Sequence, residues 1–325
     1  MIDRRRTLAG LLTATAALAL PRVARAQAFP NRPLRLIAPY PPGGGIDSVA
    51  RLLAAPMSEM LGQAVVVENR AGAGGSIGAA AAAQAQADGH TILLDALGHV
   101  INPLLIRDLS FDYARAFAPV SLVVTQPIIV VGSPALGIRA LPDLLARLRQ
   151  PGQDLSYGSS GIGSSEHLGM ELFRLRTGTT PTHIPYTGSG AAATDLLGGT
   201  LQLSMLNIAT VAPHAQAGRL RAIAVGGSTR HPLLPEVPTF AEAGLADFTT
   251  GSWHSLVAPR GMEPALRERV QASLREALRN PEIAARLAAT GFTVEATDGG
   301  ALRTIIEADL TRWGAVARSA AIVMN

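Results

Sequence analysis

The chain has 325 residues, 48% of them hydrophobic but only 4% aromatic, with 33 glycines, 22 prolines and no cysteine. That length can bury a sizeable core in two lobes, and the lack of cysteine excludes both a disulfide framework and a thiolate metal site. All 28 basic residues are arginines, set against 24 acidic ones.

The excess positive charge sits at the start. Arg4, Arg5 and Arg6 precede the apolar run "LAGLLTATAALAL", and "ARA" and "AQA" then offer small-residue cleavage sites after Ala26 or Ala28. This is the pattern of an export signal over residues 1–26, with "RRRTLAG" loosely like a twin-arginine signal, so either general secretion or the twin-arginine route fits. The apolar run is too short to span a bilayer. Removing the segment takes away Arg4, Arg5, Arg6, Arg22, Arg25 and Asp3 and leaves acids and bases balanced. Composition therefore gives no sign of nucleic-acid binding, and the expected location is the periplasm.

After the signal, short β-rich runs alternate with helical patterns. "LRLIA" (34–38) leads to a helix over 46–61, "AVVVEN" (64–69) to one over 76–86, and "TILLD" (91–95) follows. A long extended run, "APVSLVVTQPIIVVGSP" (118–134), is interrupted by Pro127. "LSYGS" (155–159) leads to a helix over 164–176, "HIPY" (183–186) to "GAAATDLLG", and "LRAIAVG" (220–226) is another strand. "TGSWHSLVAP" (250–259) is a second long extended stretch, and 263–320 is helical by periodicity. The alternation predicts an α/β fold with mainly parallel sheets. The two long connectors predict one lobe inserted in another: 29–125 with 230–325 as the first, 126–229 as the second, and a cleft between them.

Four strand-to-helix handovers share a composition. "PYPPGGGID" (39–47), "ENRAGAGGSIGAAAAA" (68–83), "YGSSGIGSSEHLGMEL" (157–172) and "PYTGSGAAATDLL" (185–197) each run through Gly, Ser or Thr into a helix start. Helix N-termini carry unpaired N–H groups and partial positive charge, so such loops attract anions. A polyphosphate normally recruits Lys, Arg or a metal, and a lysine-free chain cannot supply a Walker loop. Only "GSGAAA" (188–193) fits a dinucleotide fingerprint, without an acidic residue about 20 positions on. There is no G-x-S-x-G elbow and no paired-histidine metal motif. A small anion held by backbone N–H groups and hydroxyls, most simply a carboxylate, remains. No cofactor is expected. The competing reading from another class is an exported hydrolase or lyase using Ser164 and His167.

These stretches, with "ADGHTIL", "INP", "LPEVPTFAEAGL" and "SWHSLVAP", resemble the consecutive signatures of the Bug receptors, the solute-binding components of tripartite tricarboxylate transporters, over about residues 30 to 320. The resemblance implies a two-lobed type II periplasmic binding protein, each lobe a mainly parallel sheet flanked by helices, that binds a small carboxylated organic solute as a monomer, without catalysis. Membrane permease subunits would be its partners; a sensory ligand-binding subunit would have the same cleft. The family's carboxylate grip maps onto Pro42, Gly43, Gly44, Gly45 and Asp47, and its opposing half onto Ser159, Ser160, Gly161, Gly163, Ser164 and His167. Ala73, Gly74, Ser76, Asn102, Tyr186 and Asn207 would complete the cleft. By their local sequence, Asp47 equally suits a helix cap, His167 a packed helix position and Asn102, before Pro103, a turn. Many family members carry an acid before the asparagine where this chain has Leu206 in "SMLNIA". A buried ammonium without a counter-charge is costly, so this departure predicts a ligand with an uncharged or carboxylate distal group rather than an amino acid.

Overall fold

The computed structural model describes residues 29–152 and 155–322; the export-signal segment lies outside the described residues. Strand β1 (Leu34–Ala38) is buried along nearly its whole length and leads to helix α1 (Gly45–Leu61). Ile46, Val49, Ala50, Leu53, Met57 and Leu61 recur at helical spacing on its buried face. The helix ends at Gly62 in the left-handed conformation, whose N–H donates to the Ser58 carbonyl. Strand β2 (Val65–Asn69), helix α2 (Ser76–Ala83), strand β3 (Thr91–Ala96) and helix α3 (Gly98–Leu105) follow. β2, β1 and β3 pair in parallel.

One turn of helix, α4 (Tyr113–Ala116), precedes the sixteen-residue strand β4 (Phe117–Gly132). Beyond it lie α5 (Leu141–Leu148), β5 (Ser156–Ser159), α6 (Ser165–Thr177), β6 (Thr182–Pro185), α7 (Ser189–Gly198), β7 (Leu203–Asn207), α8 (Ile208–Gln216) and β8 (Arg221–Val225). β6, β5 and β7 are again parallel neighbours. The chain returns through β9 (Gly251–Pro259) to α9 (Pro264–Arg279), α10 (Pro281–Ala289), the short β10 (Thr293–Val294) and the long α11 (Gly299–Ser319). Sequence periodicity missed α3, α5, β7 and α8, which run for nine residues or fewer, too short for either period to stand out.

β4 and β9 join the two halves. β4 pairs antiparallel with β9 from Phe117 to Pro127 and with β7 and β8 from Ile128 to Gly132. One strand therefore changes sheets at Pro127, whose missing N–H falls at the last pair of the β4–β9 ladder. Because β4 and β9 run against their parallel neighbours, both sheets are mixed. Two core clusters pack around the first half and two around the second, Trp253 and Leu168 meeting where the halves adjoin.

The 230–250 stretch, assigned by its sequence to the first lobe, packs on the second instead. Phe240 and Phe248 sit with Phe173 and Tyr157, and Leu234 and Val237 with Leu206 and Val225. The reason is connectivity: the Val225 N–H donates to the Pro238 carbonyl and the Phe240 N–H to Val225, folding this segment back onto β8 before the chain leaves.

The second crossing is tied to the first through Gly226. Its N–H donates to the Ile128 carbonyl, and its own carbonyl accepts from the Thr250 N–H. A Cβ placed on Gly226 would lie 2.0 Å from the Thr250 carbonyl oxygen. Gly226→Ala should therefore force backbone apart at the crossover and cost about 1–3 kcal/mol, read as a lower denaturant midpoint; an unchanged midpoint would contradict this packing.

Candidate functional site

The carboxyl ends of the parallel strands in both halves point at one cavity of 540 Å³. This is where α/β folds place ligands. From the first half come Tyr40, Pro41 and Pro42, Gly74 and the starts of α1 and α3; from the second come residues 160–166, Thr187–Ser189 and Asn207. Gln126, Ser252 and His254, on the crossing strands β4 and β9, also line it.

The first-half loop is built to expose backbone. Gly43 has φ of 84°, which side chains rarely adopt, and its N–H donates to Asp47 Oδ2 at 2.9 Å. Gly44, the cap position of α1, offers no side chain, so the N–H groups of the first turn have no side-chain acceptor. A Cβ on Gly45 would stand 3.3 Å from the Phe292 ring. α3 and α7 likewise begin without a side-chain cap, at Leu97 and Gly188. With α8, which starts uncapped after the wall residue Asn207, four uncapped helix starts around one cavity present partial positive charge without a cation.

Asp47 faces away from the cavity. Its carboxylate accepts from Arg51 Nε at 2.9 and 3.0 Å and from Asn69 Nδ2 at 3.0 Å. The Arg51 hydrogen bond above all, opposed by burial and aided by Gly43 and Asn69, holds its carboxyl below the usual range. It braces the glycine loop from behind. A carboxyl depressed in the fold adds stability at pH above its unfolded value, and this is lost as pH falls through the lower folded value. Asp47→Asn should thus cost about 1–3 kcal/mol at neutral pH. The gap to wild type should close in acid, as unfolding curves from pH 7 to 2 would record; a gap constant with pH would oppose this role.

Asn102 stands at the cavity with its amide nitrogen committed, donating to the Gly74 carbonyl and the Tyr113 hydroxyl at 3.0 Å each. Tyr40 donates to the same carbonyl at 3.2 Å, and burial raises its phenol pKa well above the ordinary value, so it stays protonated. His254 is pulled down to about 3 by burial and is neutral at physiological pH.

In the second half, Ser164 caps α6: its Oγ accepts the His167 N–H at 3.2 Å. The His167 ring lies behind the loop, its Nδ1 accepting from the Gly163 N–H at 3.1 Å. It stacks on His183 at 3.9 Å between ring centroids. Burial lowers both histidines, His183 to about 4 with further repulsion from His167. Ser159 Oγ meets His183 Nε2 at 2.7 Å. Ser164 and His167 are thus a cap and a packed ring, with no ring nitrogen set to take the serine proton.

Of the expected site residues, the structure brings Pro42, Gly44, Gly45, Gly74, Asn102, Ser160, Gly161, Gly163, Ser164 and Asn207 to the cavity wall. Gly43, Asp47, Ser159 and His167 stand behind it as bracing. Ala73 and Ser76 belong to the turn and helix start behind Gly74, and the Tyr186 hydroxyl turns to Asp195 at 2.8 Å. Leu206, on β7, is fully buried in the core and is not part of the cavity wall. Sequence reasoning passed over Glu166, which is 2% exposed and lines the wall. Its oxygens accept from Ser160 Oγ at 2.6 Å, Ser165 Oγ at 3.3 Å, Ser189 Oγ at 2.9 Å and Asn207 Nδ2 at 2.9 Å. The signal was present as an acid in an otherwise neutral glycine-serine loop.

Two mixed α/β halves, joined by crossing strands and closing on a cavity of helix starts, define a periplasmic-binding-protein fold. Residues 49–322 match the model of the tripartite tricarboxylate transporter family receptor. Protein BugT of Bordetella pertussis is 37% identical over 311 residues, 95% of each chain. The solved structure of R. palustris Rpa4515 with adipate superposes with a TM-score of 0.81 at 34% identity, covering 91% of this chain and 99% of that one. The periplasmic binding protein BugD gives 0.78 at 30% identity, over 91% and 100%. The chain belongs to the tripartite tricarboxylate transporter receptor family, a family of solute-binding receptors rather than enzymes.

Proposed function

We propose that this protein is a periplasmic receptor that captures a small organic carboxylate between its halves and presents it, as a monomer, to the membrane permease subunits of a tripartite transporter. The observation that carries this reading is the uncapped N-terminus of α1 behind Pro42, Gly44 and Gly45, opening on a cavity whose lining contains no lysine or arginine. Backbone N–H groups at a helix start suit one carboxylate. The adipate held by the R. palustris relative supports that ligand class. The name of the BugD neighbour and the N-terminal signal pattern support the location.

In this reading the moving bodies are residues 29–126 with 251–322, and residues 128–250. Pro127, Gly226 and Gly251 form the hinge, since the halves exchange strands there. Pro42, Gly44 and Gly45 hold the carboxylate from one side, and the loop of Gly161, Gly163 and Ser164 closes over the solute from the other. Gly74 and Asn102 shape the floor.

Calorimetry with four- to six-carbon dicarboxylates tests the reading, as does mass spectrometry of whatever co-purifies. No carboxylate bound by either route would end it. Gly44 has an ordinary φ of −79°, and a Cβ there meets only the Pro41 carbonyl at 3.5 Å. Gly44→Val should therefore fold normally yet block approach to the N–H groups. Losing one charge-assisted hydrogen bond costs roughly 1.5–3 kcal/mol, about ten- to a hundred-fold in affinity. A variant with a normal melting temperature and unchanged affinity would place the carboxylate elsewhere.

A further inference from the structure

The described residues contain four buried carboxylates: Asp47, Asp95, Glu166 and Glu171. Asp47 pairs with Arg51, Glu171 with Arg174, and Asp95 with His99 at 3.1 Å. Glu166 differs from these three. Among the described residues it has no cationic partner, and it is the one that lines the cavity. Its hydrogen-bond donors are all neutral, so no cationic side chain among the described residues stands between it and the site.

The direction of its hydrogen bonds sharpens this. An ionised carboxylate only accepts, so the hydroxyl protons of Ser160 and Ser189 point at Glu166 and away from the cavity. Each serine is left presenting oxygen lone pairs. Asn207 spends its amide nitrogen on Glu166, with Ser189 Oγ beyond it at 3.4 Å. Turning the amide over would set its oxygen against the carboxylate. That fixes Oδ1 as the free end, and Oδ1 is a buried acceptor with no hydrogen-bond partner. An acceptor left so costs about 1–3 kcal/mol, which a ligand donor would recover. This wall of the second half therefore offers acceptors and one negative charge, opposite in character to the glycine loop of the first half.

Resting on the carboxylate-receptor reading above, we propose that the solute also carries an ammonium group, received by Glu166, Asn207 Oδ1 and the lone pairs of Ser160 and Ser189. The ligand class is an amino-carboxylate. The cavity is polar in one sense along its length: backbone donors for the carboxylate at α1, acceptors for the ammonium at the start of α6. On this proposal the counter-charge absent at Leu206 of β7 is supplied from α6, and the ligand would differ from the non-amino solute expected from that leucine.

The test is calorimetry on the intact mature protein with three matched series of four, five and six carbons: succinate, malate and aspartate; glutarate, 2-hydroxyglutarate and glutamate; adipate, 2-hydroxyadipate and 2-aminoadipate. The amino member of the best-fitting length should bind at least about tenfold tighter than the unsubstituted acid, with the hydroxy acid between. In Glu166→Gln the serine hydroxyls can turn to meet the new amide, so the fold should hold, as its melting temperature will report. Affinity for the amino acid should fall at least tenfold while the unsubstituted acid binds as well or better. Tighter binding of an unsubstituted acid by wild type overturns the inference but leaves the receptor reading standing. Equal losses for both ligands in the variant overturn it too. Binding of none of the nine overturns both readings.

Discussion

The antiparallel pairing of β4 with β9 is the constraint on which the rest of the molecule depends. Each half needs its own sheet to bury its helices, yet β4 belongs to both sheets and β9 runs beside it up to the switch at Pro127 and Gly251. Parallel strands on both sides of that seam end toward it, so the helices that follow them begin there. The cavity is a consequence of strand direction before any side chain is considered. Gly226 keeps the return crossing close to the outgoing one, with room for no atom beyond its backbone.

Given that geometry, the sequence fills the seam with residues that leave helix starts uncovered. Serine, threonine, asparagine and aspartate are the usual caps, yet α1, α3 and α7 begin without one. Where a cap is present, at Ser164, it stabilises α6 and turns the histidine behind it inward. Bracing is displaced one layer back, into Asp47 with Arg51 and Asn69, and into the stacked His167 and His183. The cavity wall is thus mostly neutral main chain, which costs less to desolvate than an unpaired charge would. The layer behind carries the charges and the rings. Glu166, a buried charge at the wall, breaks that division.

By itself the sequence determined the class of the fold, the glycine-rich loops and the order of the family's motifs, because alternation of strand and helix and the chemistry of Gly, Pro and Ser act locally. β1, α1 and the loop at Pro42 to Gly45 were legible for that reason. Short pieces such as α5 and β7 were not, since eight and five residues are too few for a period to separate helix from strand. Tertiary structure alone decided which face each loop residue shows: Asp47 and His167, plausible ligand groups in one dimension, turn backward to hold the loops, and Leu206 sinks into the core. It also returned residues 230–250 to the second half through pairing with β8. And it brought Ser160, Ser189 and Asn207, spread over nearly fifty positions, onto the Glu166 carboxylate. Hydrogen-bond direction among such residues depends on who is opposite whom, and no local pattern in a chain records that.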